Sequence, residues 1–317
     1  MSARPTVIVT EQLADAPLHW LAERCDVQRI GSQDIGFRDA VREADAMVIR
    51  TYTTVDRDTL AGAARLLVIG RAGVGVDNID LAACRERGVH VVYTPDANTQ
   101  AVVEYVFAII LDALRTRPRV AGALLPDDWR AMREECLDTH SLGELTVGIL
   151  GLGRIGKRVA AVARSFGCEV IYHDVIEIDS QHRHGARPVS AEQLFAEADV
   201  LTVHVDGRPG NRGFVGSSLL DRMKPGVMFL NTSRGFVVDS AALAAAMEAR
   251  PAARAFIDVH EPEPIKPSYP LLGLANVELY PHVASRTARS IENMSWVVRD
   301  VVAVLEGREP QHAARVV

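Results

Sequence analysis

Short β-branched runs alternate with stretches of helical spacing along the first hundred residues of the chain. Val7–Thr10, Val27–Ile30, Met47–Thr51, Leu66–Gly70 and Val89–Tyr93 read as strands, each a brief apolar run closed by polar or turn residues. Leu18–Cys25, Arg38–Glu43, Arg57–Ala64 and Leu81–Arg87 lie between them and carry helical periodicity. Repeated βα units require a parallel sheet covered by helices, so this part is expected to be a small α/β domain of its own. From Thr99 to Arg115, apolar residues occupy most faces of one long predicted helix, the pattern of a buried connector. Six more strands are expected near 146–151, 169–173, 199–203, 227–231, 254–259 and 276–280, in the alternation of a doubly wound sheet. A last helix is predicted from just after Ser285, its N-cap, to Glu306, with Gly307 as its stop. Because it follows the final strand of the second sheet, it is expected to cross back and make the first domain discontinuous. The expected division is 1–98 plus 286–317 for one domain and 99–285 for the other.

Composition narrows the partners. A length of 317 residues suits two sizeable cores. With 48% hydrophobic and 24% charged residues, neither a disordered chain nor a membrane protein is expected. The most apolar run, Val106 to Leu111, is bracketed by Glu104 and Asp112 and is too short to span a bilayer. A net charge of −6 argues against nucleic acid as a partner. The basic cluster Arg115, Arg117, Arg119 reads as a helix C-terminus complementing its dipole. Cys25, Cys84, Cys136 and Cys168 form no CxxC and no zinc-ligand spacing, so no metal is expected and the thiols read as reduced. The N-terminus leads straight into a strand without a secretory apolar region, and a cytoplasmic setting is expected.

The strongest local signal sits in the middle of the chain. The run Thr146 to Leu150 leads into Gly151-Leu152-Gly153-Arg154-Ile155-Gly156, followed by a helical stretch from Lys157 to Phe166 that stops at Gly167. The next apolar run ends on Asp174, eighteen residues beyond Gly156. Strand, glycine turn, helix, strand and acid in that order form a dinucleotide-binding βαβ unit, in which the glycines let the backbone approach a pyrophosphate at a helix N-terminus. A carboxylate at Asp174 suits the adenosine ribose and repels a 2′-phosphate; no basic residue follows in Val175-Ile176-Glu177, so NAD is expected over NADP. Three further polar residues each fall just after a later strand: Arg234 after Phe229-Leu230-Asn231, Glu263 after Ile257-Asp258-Val259, and His282 after Val277 to Tyr280. In an open parallel sheet these ends share one edge, where ligands bind.

These segments, together with Gly70-Arg71-Ala72-Gly73-Val74-Gly75-Val76-Asp77-Asn78, Thr94-Pro95 through Asn98, and Glu104, resemble the D-2-hydroxyacid dehydrogenase family and its phosphoglycerate dehydrogenase branch. The resemblance covers nearly the whole chain. It implies a Rossmann NAD-binding domain inserted into a smaller flavodoxin-like substrate domain, both doubly wound. It also implies reversible hydride transfer between a 2-hydroxy acid and its 2-keto acid, with D stereochemistry, in a homodimer joined through the nucleotide-binding domain. In such a site His282 takes the hydroxyl proton, since imidazole works near neutral pH. Glu263 orients the ring and favours the imidazolium. Arg234 binds the substrate carboxylate and polarises the 2-oxygen. Glu261 and His260 are the neighbouring competitors for these roles; the family's glutamate stands just before the second proline, which favours Glu263.

By the same resemblance, Arg154 and Ile155 line the pyrophosphate, Thr232 lies under the cofactor, Asp258 reaches the nicotinamide carboxamide, and Val74, Gly75 and Val76 offer backbone N–H groups to the substrate. Arg50 and Arg71 match arginines that face the substrate phosphate in the phosphoglycerate branch; structural ion pairs at strand ends are the other role that fits them. The chain ends soon after its last helix, which implies a short form without the branch's regulatory domain. One segment departs from the pattern: Asp206-Gly207-Arg208-Pro209-Gly210-Asn211-Arg212 replaces a proline, a leucine and a later threonine, on the adenine side of the cofactor. Phosphoglycerate, a phosphonate analogue, hydroxypyruvate and glyoxylate all remain open as substrates. So do phosphite- or formate-type oxidation and an NAD-sensing role like that of the family's co-repressors.

Overall fold

The computed structural model describes residues 4–115, 117–137 and 140–314. Contacts divide the chain into two units, Met1–Ala101 with Ser285–Val317 and Val102–Ala284. Residues 1–3 and 315–317 of the expected first domain lie outside the described residues.

The first unit holds strands β1 (Thr6–Val9), β2 (Asp26–Arg29), β3 (Ala46–Ile49), β4 (Val68–Arg71) and β5 (His90–Tyr93), all parallel, in the order β2-β1-β3-β4-β5. That is the flavodoxin-like order, with the switch point beside β1 and β3. Burial follows sheet position: β3, near the centre, is an unbroken buried Ala-Met-Val-Ile, whereas edge strand β2, Asp-Val-Gln-Arg, is largely exposed. On one face Ile8, Met47, Ile49 and Ile69 pack with Phe37, Leu60 and Ala83 from the helices between the strands. On the other, Val7, Val48 and Val68 meet Val297, Val298, Val301 and Val302 from the returning C-terminal segment. Gly70 makes that contact possible, since a Cβ there would lie 2.4 Å from Val301 Cγ2.

The second unit holds β6 (Thr146–Leu150), β7 (Glu169–His173), β8 (Arg187–Pro188), β9 (Val200–Val203), β10 (Met228–Asn231), β11 (Arg254–Ile257) and β12 (Val277–Leu279), in the parallel order β12-β11-β10-β9-β6-β7-β8. This is the dinucleotide-binding order with one strand added at the far edge, and its switch point lies between β6 and β9. The helix Thr99–Leu114 enters this unit at Val102, and its Val106 and Ile110 pack with Val147, Ile149, Leu230 and Phe256. The two-domain doubly wound class expected above is the fold observed.

Four local expectations are corrected. The last helix is broken into Ala288–Ser295 and Val298–Leu305. Ser295 Oγ donates back to Ile291 O at 2.7 Å and accepts the Ala14 N–H at 3.0 Å, and such back-bonding bends a helix. Its cap is Thr287, whose Oγ1 accepts the Ser290 N–H, rather than Ser285. The second sheet has seven strands, not six: β8 is a two-residue exposed Arg-Pro pairing with β7, too short and polar to leave an apolar run. The first helix runs Asp15–Ala22 instead of Leu18–Cys25. The helix Pro126–Glu135 was not expected, and it has no buried residue. Among the described residues, no helix is long and apolar enough to cross a membrane.

The close approach at Gly70 gives a direct check on the returning segment. Gly70→Ala should destabilise the protein by about 1–3 kcal/mol through overpacking, and adding Val301→Ala should recover part of that loss. Urea unfolding of the single and double variants measures it; a Gly70→Ala variant as stable as the wild type contradicts the packing.

Candidate active site

The glycine turn is shaped by close approach. Gly151 sits at φ 93°, and a Cβ there would lie 2.9 Å from the backbone of His204 and Val205. A Cβ on Gly156 would lie 2.2 Å from Gly151 O. Gly153 is different: nothing stands within 4 Å of its Cβ position, so the N-terminus of the helix Arg154–Ser165 opens onto free space. Exposed N–H groups and the helix dipole suit that space to an anion. Arg154 and Ile155 form the first two positions of this helix.

Asp174 follows β7 directly. Its Oδ2 accepts the Leu152 N–H at 2.7 Å and its Oδ1 the Ile176 N–H at 3.1 Å, which ties the acid to the glycine turn. An ionised carboxylate has about four lone-pair positions, so capacity remains for ribose hydroxyls. Two buried polar atoms nearby, Thr232 Oγ1 and His204 Nδ1, have no hydrogen-bond partner among the described residues. Burial pushes the His204 imidazole down to about 3, so the ring is neutral, and its Nε2 lies 2.9 Å from Thr202 Oγ1. Buried polar groups of this kind require partners. An open helix N-terminus, a ribose-competent acid and two unsatisfied polar atoms fit a dinucleotide.

The chemical groups gather at the ends of β10, β11 and β12. Asn231, only 1% exposed, ends β10; its Oδ1 accepts the Ser233 N–H at 3.0 Å and its Nδ2 donates to Arg234 O at 3.1 Å. This local turn presents Arg234, whose Nη1 donates to Ser233 O at 2.8 Å. Gly235 then lies against the segment after β11, so closely that a Cβ would meet the His260 carbonyl carbon at 2.0 Å. Glu263, in that segment, accepts the His260 N–H on Oε1 at 2.9 Å and bonds His282 Nδ1 through Oε2 at 2.9 Å. The structure thus brings Glu263 and His282 into direct contact and packs the Arg234 loop against the same segment.

Asp258 holds the third piece. It is 1% exposed, and its two oxygens accept the N–H groups of Val283 at 2.8 Å and Ala284 at 2.9 Å, the residues just after His282. His282 itself has φ 55°, a left-handed backbone that non-glycine residues adopt only when the surroundings impose it. Burial raises the Asp258 carboxyl above its usual range, against the opposing pull of those two N–H groups and of His282. Burial also acts to raise Glu263, but the hydrogen bond and charge of His282 and the His260 N–H outweigh it, and this carboxyl lies below the ordinary glutamate range.

The competitors are engaged elsewhere. Glu261 pairs with Arg212 Nη1 at 2.7 and 2.8 Å. His260 Nε2 donates to Tyr280 O at 2.7 Å and its Nδ1 lies 3.2 Å from Tyr269 Oη. In the divergent 206–212 loop, Arg208 chelates Asp206, with Nε–Oδ1 at 2.8 Å and Nη2–Oδ2 at 2.6 Å, and Asn211 Nδ2 donates to the same carboxylate at 2.9 Å. Arg50, Arg71 and Val74–Val76 belong to the first unit. Arg50 follows β3 and Arg71 ends β4 opposite Ile49, so the two arginines stand on neighbouring strand ends. Burial lowers the Arg50 guanidinium, against the raising charge of Glu11, and Arg286 lowers it further. Sequence reasoning missed Asn231, His204 and the loop-holding contacts of Asp258. A side-chain amide at a strand end before Thr232-Ser233-Arg234-Gly235 was the one available signal, for Asn231.

The chain is similar to known proteins. The profile of a family described as D-isomer specific 2-hydroxyacid dehydrogenase, NAD binding domain, matches residues 107–284. The D-3-phosphoglycerate dehydrogenase of Mycobacterium tuberculosis is 36% identical over 303 residues, covering 94% of this chain but only 56% of that enzyme. The glyoxylate reductase of Aeropyrum pernix is 34% identical over 317 residues, covering 97% of this chain and 95% of that enzyme. Among solved structures, D-lactate dehydrogenase from Aquifex aeolicus with NAD and lactic acid superposes with a TM-score of 0.81 at 26% identity, covering 95% of this chain and 96% of that one.

The lowered Glu263 carboxyl stabilises the fold above the ordinary glutamate range, near pH 4.3, and that contribution is lost as pH falls through its folded value. Glu263→Gln should therefore cost about 1–3 kcal/mol near neutral pH, with the difference from wild type closing below about pH 4. Thermal unfolding of both proteins across that range checks this; a pH-independent gap contradicts it.

Proposed function

The chain belongs to the D-isomer specific 2-hydroxyacid dehydrogenase family, and from that premise we propose that it catalyses reversible hydride transfer between NAD and a small anionic D-2-hydroxy acid. The observation that carries this reading is the 2.9 Å contact between His282 Nδ1 and Glu263 Oε2 at the carboxyl edge of the sheet. With Nδ1 engaged, Nε2 is the nitrogen left for substrate. In the oxidising direction His282 Nε2 takes the hydroxyl proton while the 2-carbon gives up hydride; in the reducing direction it returns that proton to the forming alkoxide. Glu263 holds the ring in orientation and balances the imidazolium charge. Arg234 binds the substrate carboxylate and stabilises charge developing on the 2-oxygen. NAD, when bound, supplies the hydride acceptor; Gly151, Gly153, Arg154, Ile155 and Gly156 would cradle its pyrophosphate, Asp174 its ribose, and Thr232 and Asp258 its nicotinamide side.

Arg50 and Arg71 favour an acid with a second anionic group, such as 3-phosphoglycerate or a phosphonate analogue, because guanidinium groups suit phosphoryl oxygens. The full-length match to a glyoxylate reductase supports glyoxylate or hydroxypyruvate as the second reading. Four free thiols, three of them buried, suit a reducing cytoplasmic setting. A homodimer through the nucleotide-binding unit is supported by the helix Pro126–Glu135, where Trp129 is exposed and Leu125 and Leu137 at its flanks stand open as well.

A steady-state screen of 2-keto acids with NADH, beside phosphite and formate with NAD, tests the reaction. Activity only with the inorganic donor or formate contradicts it. His282→Ala should cut turnover about 10²–10⁴-fold, and unchanged turnover would remove it as the base. Trp129→Asp should shift a dimer toward monomer in analytical ultracentrifugation; a wild-type protein that sediments as a monomer at every concentration excludes the assembly.

A further inference from the structure

The loop after β3 is built around an internal anion. Glu11, just beyond β1, accepts the consecutive backbone N–H groups of Arg50 at 3.0 Å, Thr51 at 3.0 Å, Tyr52 at 3.2 Å and Thr53 at 3.1 Å. The Thr53 hydroxyl, which lies 2.7 Å from Thr10 Oγ1, contacts the same carboxylate at 3.1 Å. Four successive N–H groups converging on one point form an anion nest. In this protein a side chain of its own occupies the nest. An incoming phosphoryl group therefore cannot use these amides and must be read by side chains.

The carbonyls of the same loop are held from the opposite direction. Asn78 Nδ2 donates to Arg50 O at 2.8 Å and to Thr53 O at 2.6 Å, and Asn78 O accepts the Val55 N–H at 2.9 Å. Asn78 ends the segment that carries Val74, Gly75 and Val76. Glu11 and Asn78 together weld the Arg50 loop and the Val74–Val76 loop into one rigid piece of the first unit. Both residues act through the backbone they fix.

We propose that Glu11 and Asn78 are positioning residues that set the separation between the Arg50 guanidinium and the Val74–Val76 amides, and so select 2-hydroxy acids whose second anionic group stands at a fixed distance from the carboxylate. This rests on the readings of Arg50 as the distal-anion contact and of the Val74–Val76 amides as carboxylate contacts beside Arg234. A flexible loop would accept anions at many distances, whereas a loop pinned on both its N–H and C=O sides accepts one. The phosphate ester and the phosphonate differ in that distance, so the clamp also discriminates between them.

The test compares wild type, Arg50→Ala, Glu11→Ala and Glu11→Gln with 3-phosphohydroxypyruvate, 3-phosphonopyruvate and glyoxylate, each with NADH. Arg50→Ala should raise the KM of the preferred dianionic acid about ten-fold or more relative to that of glyoxylate. Glu11→Ala should reproduce that change in KM ratio with a much smaller effect on kcat, and Glu11→Gln, which keeps an acceptor in the nest, should fall between. Added acetate should refill the nest in Glu11→Ala, lowering the KM ratio and raising its melting temperature, with no such rise in wild type. A selective Arg50→Ala beside a Glu11→Ala that shifts every substrate equally overturns the clamp alone. Equal effects in Arg50→Ala overturn the distal-anion reading beneath it, while the acetate-dependent melting shift still reports whether Glu11 fills the nest. A Glu11→Ala protein whose melting temperature ignores acetate contradicts the nest.

Discussion

The proposed chemistry of this protein depends on one hydrogen bond, 2.9 Å long, between His282 and Glu263. Neither residue is positioned by its own strand alone. His282 stands in a left-handed backbone, and the turn survives because Asp258 accepts the two N–H groups that follow it. Glu263 is held by the N–H of His260, whose ring is itself pinned between Tyr280 O and Tyr269. A parallel sheet brings the ends of β10, β11 and β12 to one edge; these short contacts convert a shared edge into a shared site.

In the proposed reaction the same edge also receives a negatively charged dinucleotide. The second unit solves this with shape more than with net charge. Gly151 and Gly156 close the turn by backbone contact, and Gly153 leaves the helix terminus open. Asp174 is tied to Leu152 on that turn, so the proposed ribose acceptor and phosphate cradle are joined by a hydrogen bond. Two buried polar atoms, on Thr232 and His204, stay unsatisfied among the described residues. Such atoms are costly in a folded protein unless a partner completes them.

Much of this was legible in the residues because it is local. A strand, a glycine turn and an acid at the end of the next strand are separated by short stretches, and each residue type follows from backbone geometry at its own position. The placement of Arg234, Glu263 and His282 after successive strands was equally readable, since topology alone carries strand ends to one edge. What escaped was decided by distant partners. The break between the last two helices depends on Ser295 meeting Ala14, and the β8 strand exists only because β7 offers an edge. Asp258 gave no outward sign that it anchors the His282 turn, because its partners lie 25 and 26 residues further on. The Glu11 nest joins residues 39 to 42 positions apart, with no pattern linking them.

If His282 and Glu263 act as a unit, their effects on the rate must not add. The most direct measurement is a double-mutant cycle on kcat/KM for keto-acid reduction, using Glu263→Gln, His282→Ala and the double variant. The account predicts that the double variant is no slower than His282→Ala, because Glu263 works only through the ring it orients. Losses that multiply, with the double variant slower by the product of the two single effects, would contradict it.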